Sequence, residues 1–193
     1  MNINQIMIWS GSILAIVLYY PLIAGILRNQ IEQSCATWML WVTLDVIAVT
    51  SIILQHGNYL LLVVYSICGA VVITALIYKK LFKWTSFETL VLGLVIICLV
   101  VWYFSGPRGA TIAATIAGAI SGIPQIRDSW KKSDTMTGHI YLGYAVANGL
   151  SCFGGKAWTV EDRLYPAMAA VLCLIITSIA YRKQKVCTVA SVN

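Results

Sequence analysis

The sequence predicts an all-α integral membrane protein of seven transmembrane helices, arranged as two parallel three-helix bundles joined by a linker helix. Three observations lead to this prediction. Of the 193 residues, 60% are hydrophobic and only 10% are charged, whereas an ordinary soluble domain carries roughly 25% charged residues. The apolar residues form seven segments, most of them close to the ~20 residues that cross a bilayer. The chain also resembles itself at a shift of 103 residues, which indicates an internal repeat.

The seven apolar segments are predicted to be helices, because the backbone groups of an open strand edge find no partner in lipid. In chain order they are Ile6–Leu27, Ala36–Gln55, Tyr59–Tyr78, Thr89–Phe104, Ala110–Ile126, Gly138–Gly155 and Leu164–Tyr181. The first is expected to be a retained helix and not a signal peptide, because the first basic residue, Arg28, follows the apolar run. The fourth begins after the capping-box pattern Thr85-Ser86-Phe87-Glu88.

The repeat relates the first three segments to the last three and leaves the fourth without a counterpart. Matched pairs at this shift are Pro21 with Pro124, Ile23 with Ile126, Trp38 with Tyr141, Trp41 with Tyr144, Asp45 with Asn148, Thr74 with Thr177 and Tyr78 with Tyr181. A three-helix unit ends on the opposite side of the membrane from its start, so one linker helix makes two such units parallel. The predicted organisation is a first repeat over 1–82, a linker helix over 83–107, a second repeat over 108–186 and a cytoplasmic tail over 187–193.

The basic residues predict the orientation in the membrane. Of the 13 Lys and Arg residues, ten lie after the first, third, fifth and seventh segments, and three lie on the other side. Because Lys and Arg favour cytoplasmic loops, the N-terminus is expected outside and the C-terminus in the cytoplasm. The net charge of +6 therefore reflects orientation and does not indicate nucleic-acid binding. The tail has no obvious sorting signal, which favours a bacterial plasma membrane over an organelle.

Asp45 is the only formally charged residue within the seven segments. An ionisable group at the centre of a span costs roughly 2.5–3.5 kcal/mol on insertion scales, and such groups usually face a cavity or a partner. Asn148 is its equivalent in the second repeat. Trp41 and Tyr144 each stand four residues earlier, on the same helix face. These four residues are the predicted solute-binding set, and the alternative is internal hydrogen bonding and packing.

Other aromatic residues are candidates for gates or for the membrane interface. Tyr65 and Tyr165 lie toward the outer side and are predicted to form an outer gate. Tyr19 and Tyr20 are candidates for an inner gate. Trp38, near the cytoplasmic end of its segment, is expected to belong to the interfacial aromatic belt.

One local stretch resembles a known family. It runs Pro124-Gln125-Ile126 and then Lys132-Ser133-Asp134-Thr135. In this topology it is similar to the motif of the PQ-loop superfamily, which includes the SWEET sugar transporters and the lysosomal amino-acid exporters. The first repeat departs from the motif, because Pro21 is followed by leucine. The pairing of Asp45 with Asn148 resembles the amino-acid-exporting branch.

The resemblance implies transport of a small polar solute by alternating access. It also implies that Pro21 and Pro124, with Gln125, act at hinges, because a proline removes a backbone hydrogen bond and bends a helix. The alternative for both prolines is helix termination. A carboxylate that exchanges protons would couple transport to pH, whereas a permanently ionised one would attract a cationic solute. Sugars, amino acids and vitamins all remain open as solutes.

The expected partners are therefore a small polar solute, the lipid bilayer and protons, in a monomer or homo-oligomer. The main alternative is a receptor or sensor on the same seven-helix scaffold, binding without flux. A retinal-type photoreceptor is excluded, because no segment contains a lysine. An intramembrane enzyme is not expected, because no G-x-S-x-G or H-E-x-x-H pattern is present. No metal, other cofactor or disulfide framework is predicted.

Overall fold

The computed structural model describes residues 2–30, 33, 35–81, 84, 86–131 and 135–190. Every regular element in these residues is an α-helix. The helices are α1 (Ile3–Leu27), α2 (Cys35–Leu54), α3 (Leu60–Tyr78), α4 (Ser86–Ser121), α5 (Ile123–Lys131), α6 (Thr135–Gly154) and α7 (Val160–Ala190). Thr85 of the predicted capping box, Lys132, Ser133 and Asp134 of the motif, and 191–193 of the tail lie outside the described residues.

Five segments are long and apolar enough to cross a bilayer. They are Ile3–Leu27, Cys35–Leu54, Leu60–Tyr78, Thr89–Arg127 and Val160–Tyr181. The prediction of a helical, multi-pass membrane protein is therefore confirmed. The predicted sixth segment corresponds to α6, which is less apolar because it carries His139, Asn148 and four glycines.

The predicted fourth and fifth segments lie in the single element α4, which is broken at Gly106. A straight helix of 39 residues, the length of the apolar segment Thr89–Arg127, would measure about 58 Å. That length is nearly twice the ~30 Å hydrocarbon core. Gly106 has φ 70° and ψ −169°, a conformation open essentially only to glycine, and Pro107 follows it. The break divides α4 into a first part, 86–105, which is close to the ~20 residues of one crossing, and a shorter second part, 107–121.

The two prolines of the repeat occupy different positions in their helices. Helix α1 continues through Pro21 and ends at Leu27, so Pro21 does not terminate it, which was the alternative to a hinge. In the second repeat, α4 ends at Ser121 and Pro124 falls in the first turn of α5. A proline is tolerated there because the first turn has no intrahelical partner for its amide. The predicted fifth segment, Ala110–Ile126, is thus interrupted at Gly122.

The helices pack as two groups that meet along two seams. In the first group α3 contacts both α1 and α2, and in the second α7 contacts α4, α5 and α6. The seams are α1 against α6 and α2 against α4. In the second seam, buried residues of α2 contact both parts of α4, through Val91 and Val95 before the break and Ala114 and Ala117 after it.

The seam between α1 and α6 is unusually close. A Cβ atom on Gly11 would lie 2.6 Å from the carbonyl oxygen of Ala147, and one on Gly154 would lie 2.8 Å from that of Asn4. Small residues allow this backbone-to-backbone approach, which is typical of helix contacts in membranes. The same contacts show that α6 ends beside the start of α1. We call this end of the molecule the α1-start end.

Candidate functional site

A cavity of about 140 Å³ lies between the two groups of helices, lined by residues of α1, α2, α3, α4, α6 and α7. Its aromatic lining residues are Tyr19, Trp38, Trp41, Tyr65, Tyr141, Tyr144 and Tyr165. The polar residues among the others include Asp45, Thr115 and Asn148. Pockets for drug-sized ligands measure roughly 300–1,000 Å³, so this cavity suits a smaller solute.

All four residues of the predicted solute-binding set line this cavity. Asp45 and Trp41 project from α2, and Asn148 and Tyr144 project from α6. Their spacing of four residues gives each pair a common helix face. The structure therefore brings the predicted set together, with one pair contributed by each group of helices.

Asp45 is bonded to the other group of helices. The hydroxyl of Tyr165, on α7, donates a hydrogen bond to Oδ1 of the Asp45 carboxylate. A hydrogen bond with an ionised partner is roughly twice as strong as one between neutral groups. Tyr165, predicted only as a gate, is thus the direct partner of the carboxylate.

Asn148 is likewise hydrogen-bonded to the other group of helices. Its Nδ2 donates to the hydroxyl oxygen of Tyr65, on α3, at 2.6 Å, and to the carbonyl oxygen of Tyr144, one turn earlier on α6, at 2.8 Å. Because a carbonyl oxygen can only accept, the second bond fixes which end of the amide faces it. Each predicted gate tyrosine is therefore hydrogen-bonded to a polar residue of the opposite group of helices, Tyr165 to Asp45 and Tyr65 to Asn148.

Three buried polar atoms of lining residues have no hydrogen-bond partner among the described residues. They are Nε1 of Trp41, the hydroxyl of Tyr144 and Oδ1 of Asn148. Asn148 is only 1% exposed and Tyr144 only 8%. Buried polar atoms are nearly always satisfied, and an exception suggests a missing water or ligand. The cavity thus offers donors and an acceptor to a bound molecule.

Tyr19 stands at the centre of the aromatic lining. Its ring centroid lies 6.2 Å from that of Trp38, 6.3 Å from Tyr65 and 5.6 Å from Tyr144. These separations fall within the range of favourable edge-to-face contacts. Tyr19 therefore faces the cavity, whereas Tyr20 is 75% exposed and faces away from the helix packing.

The position of Trp38 differs from the one predicted from the sequence. It was expected in the interfacial belt, yet it is 7% exposed and lines the cavity. Its Nε1 donates to Oε1 of Gln33 at 3.0 Å, so its polar edge is satisfied inside the protein. Tyr141 also lines the cavity, although the sequence analysis assigns it no role beyond its pairing with Trp38. The shift of 103 residues pairs these two positions, and it was the available signal that both face the same centre.

The predicted hinge residues lie apart from the binding set. Pro21 is half-buried in α1 and does not line the cavity. The Gln125 side chain accepts from Nε2 of Gln33 at 3.5 Å and donates to Oγ of Ser129 at 3.5 Å. Both distances are at the limit for a hydrogen bond. Gln125 is connected to the lining through Gln33 and Trp38.

Stronger contacts join the two groups at the α1-start end. Nδ2 of Asn58 donates to the carbonyl oxygen and to Oγ of Ser151, at 3.0 and 3.1 Å. Nε2 of Gln55 donates to Oγ1 of Thr111 at 2.9 Å. A Cβ on Gly57 would lie 2.7 Å from the carbonyl oxygen of Glu161. The molecule is therefore closed by several short contacts at this end.

The described residues contain no cluster of three His, Cys, Asp or Glu side chains that could hold a metal ion. No protein-family model, curated protein or solved structure matches this chain.

Proposed function

We propose that this protein is a transporter, which moves a small polar solute across a membrane by alternating access through its central cavity. The observation that carries the proposal is the position of Asp45 and Asn148. They are equivalent residues of a sequence repeat, and they line one cavity from opposite groups of helices. Internal repeats of membrane proteins commonly enclose a solute site at their interface.

A seven-helix layout of three plus one plus three helices fits this function. In it, α4 before Gly106 is the linker, and α4 after Gly106 starts the second repeat. The shift of 103 residues carries Ile3, where α1 begins, onto Gly106. This equivalence supports the proposed boundary between the linker and the second repeat.

The helix contacts support the same layout. If the second part of α4 corresponds to α1, α6 to α2 and α7 to α3, the contacts among these helices match in pairs, whereas the contacts of α5 have no counterpart. The contact of α1 with α3 matches that of α4 with α7, and α2 with α3 matches α6 with α7. The seam of α1 with α6 matches that of α4 with α2. Such a pattern is expected of parallel repeats around an axis along the membrane normal.

The proposed orientation makes the α1-start end the outer face, because the basic residues favour an outside N-terminus. The contacts of Asn58, Gln55 and Gly57 then close the cavity toward the outside. At the opposite, cytoplasmic end, the contacts between the groups include the long Gln33–Gln125 contact. We therefore propose that this conformation is the one closed to the outside, with movement at Pro21 and Pro124 changing the cytoplasmic end. Membership of the PQ-loop superfamily stays a prediction from the motif.

Asp45 is the proposed coupling or recognition group. A carboxylate in a solute cavity either exchanges protons during the cycle or attracts a cationic solute. The hydrogen bond from Tyr165 ties this carboxylate to the other repeat. Its state can therefore influence how the two repeats are held together.

The test uses purified protein, first in a thermal-shift screen of sugars, amino acids and vitamins and then in proteoliposome flux assays of the hits. Transport predicts saturable flux of at least one hit, and that flux is lost in Asp45→Asn. Thr50→Val, which changes an exposed polar side chain of α2 that does not line the cavity, is the matched control and should retain flux. Stabilisation by a solute without any flux would overturn the proposal in favour of a receptor or sensor.

A further inference from the structure

The lining of the cavity restricts the chemical class of the solute. We propose that the solute is a compact organic monocation without an anionic group, such as a quaternary ammonium ion, held between aromatic faces and the Asp45 carboxylate. Its movement across the membrane rests on the transport function proposed above, whereas its binding can be tested separately.

The charge of the lining is the first argument. Asp45 is the only charged residue that lines the cavity in the described part of the chain, and no Lys, Arg or His accompanies it. A carboxylate or phosphate on the solute would be removed from water with no cation to pair with, at high cost. A zwitterionic amino acid or a sugar phosphate therefore fits poorly, and a monocation balances the charge of Asp45.

The aromatic lining is the second argument. Tyr19, Tyr65 and Tyr144 contact one another through their rings, with centroids 5.6–6.3 Å apart. Trp38 and Trp41 form a further pair at 5.4 Å. A cation within about 6 Å of an aromatic face is attracted by the ring quadrupole, and aromatic cages recognise quaternary ammonium groups in this way.

The scarcity of unpaired polar atoms is the third argument. Nε1 of Trp41, the Tyr144 hydroxyl and Oδ1 of Asn148 are the fully buried lining atoms without partners among the described residues. They can satisfy a single hydroxyl or N–H of a small cation. A polyhydroxylated sugar needs a partner for each of its hydroxyls once it leaves water. The lining of this cavity of about 140 Å³ is mostly apolar, so it offers few such partners.

The experiment compares three ligands of similar shape on the purified full-length chain. Choline is the cation, 3,3-dimethylbutan-1-ol is its neutral carbon isostere, and glycine betaine is a zwitterion of similar size. Binding is followed by tryptophan fluorescence, with thermal stabilisation as a second readout. We expect choline to half-saturate at a concentration at least about tenfold below that of either analogue. Equal or tighter binding of the neutral or zwitterionic ligand would overturn the proposal.

Tetramethylammonium and N-methylpyridinium extend the cation series, because neither carries a hydroxyl. If none of the three cations binds saturably, the proposal is wrong. This series uses only the unaltered protein, so it does not depend on whether a variant folds.

Variants of Asp45 then test whether its carboxylate recognises the cation. Asp45→Asn should weaken choline binding at least about tenfold and leave binding of the neutral isostere unchanged, because only the cation interacts with the charge. Asp45→Glu should retain more affinity than Asp45→Asn, and Thr50→Val, on the exposed side of the same helix, should match the unaltered protein. Unchanged choline affinity in Asp45→Asn would remove the carboxylate from the proposal and overturn it.

Binding and flux separate this inference from the proposed function. Tight choline binding without flux in proteoliposomes would uphold the inference and overturn transport. Flux of a sugar or a zwitterionic amino acid, with no preference for cations, would uphold transport and overturn the inference.

Discussion

Asp45 with Tyr165 and Asn148 with Tyr65 form two similar pairs that differ in the direction of their hydrogen bonds. In the first pair the tyrosine hydroxyl donates to a carboxylate. In the second pair the tyrosine oxygen accepts from an amide. Tyr65 thus keeps its own hydroxyl hydrogen for another acceptor, whereas that of Tyr165 is used. Similar positions in the two groups of helices therefore carry different chemistry, one pair able to hold a charge and the other always neutral.

This difference suggests that the two pairs have different functions. The neutral pair fixes α3 against α6 whatever the pH or the solute. In the pair that joins α2 to α7, Oδ1 of Asp45 accepts from Tyr165, and a carboxylate has a second oxygen that can take a proton or a cation. The predictions below test this difference, from the largest expected effect to the smallest.

Asp45→Asn is expected to have the largest effect. Asparagine keeps an oxygen for Tyr165 but removes the charge, and losing one partner of a buried charge pair costs about 2–5 kcal/mol. Uptake of the solute should fall at least about 30-fold. The measurement is initial uptake into proteoliposomes at several external pH values. Unchanged uptake with unchanged pH dependence would remove Asp45 from both coupling and recognition.

The exchange variant Asp45→Asn/Asn148→Asp asks whether the charge or its position matters. It keeps one carboxylate in the cavity but moves it to α6, where Tyr65 becomes its donor. If the cavity needs only the charge, binding of choline should recover to within about tenfold of the unaltered protein. Binding as weak as in Asp45→Asn alone would show that the partnership with Tyr165 is also required.

The tyrosine hydroxyls allow a smaller, matched comparison. Tyr165→Phe removes a hydrogen bond to a charged acceptor, worth about 1.5–3 kcal/mol, and Tyr65→Phe removes a neutral one, worth about 0.5–1.5 kcal/mol. The free energy of unfolding, measured in the same detergent for both variants, should therefore fall more for Tyr165→Phe. The reverse order would indicate that the Asp45 carboxylate is satisfied without Tyr165.

Gln125→Ala is expected to have the smallest effect. Its contacts with Gln33 and Ser129 are both 3.5 Å long, too long to contribute much. Uptake should change less than about threefold, which corresponds to under ~0.7 kcal/mol. A loss as large as that of Asp45→Asn would restore the glutamine of the motif as a principal element of the mechanism.

The sequence predicted the helical membrane class well, because composition and segment length report directly on the bilayer as solvent. Its segment boundaries were less accurate around Gly122, where a turn interrupts the apolar run without any charged residue to mark it. Helix α6 is also less apolar than a typical span, because it carries His139, Asn148 and four glycines.

The binding set was predicted from Asp45 and from the shift between the repeats, since a charge in a span is rare and its equivalent can be located by counting. The partners of these residues could not be found in this way. Tyr165 is 120 residues from Asp45, and Tyr65 is 83 residues from Asn148. Trp38 was misassigned because an aromatic residue near the end of a span has the same composition whether it faces the headgroups or the interior.

The break at Gly106 has a consequence for assembly. The first part of α4 packs on α2 of the first group, while the chain beyond the break belongs to the second group. A different backbone angle at this one residue would deliver the second half of the chain to a neighbouring copy without altering either seam. Domain swapping of this kind reuses existing interfaces, so Gly106 is the residue at which two copies of this chain would exchange their halves.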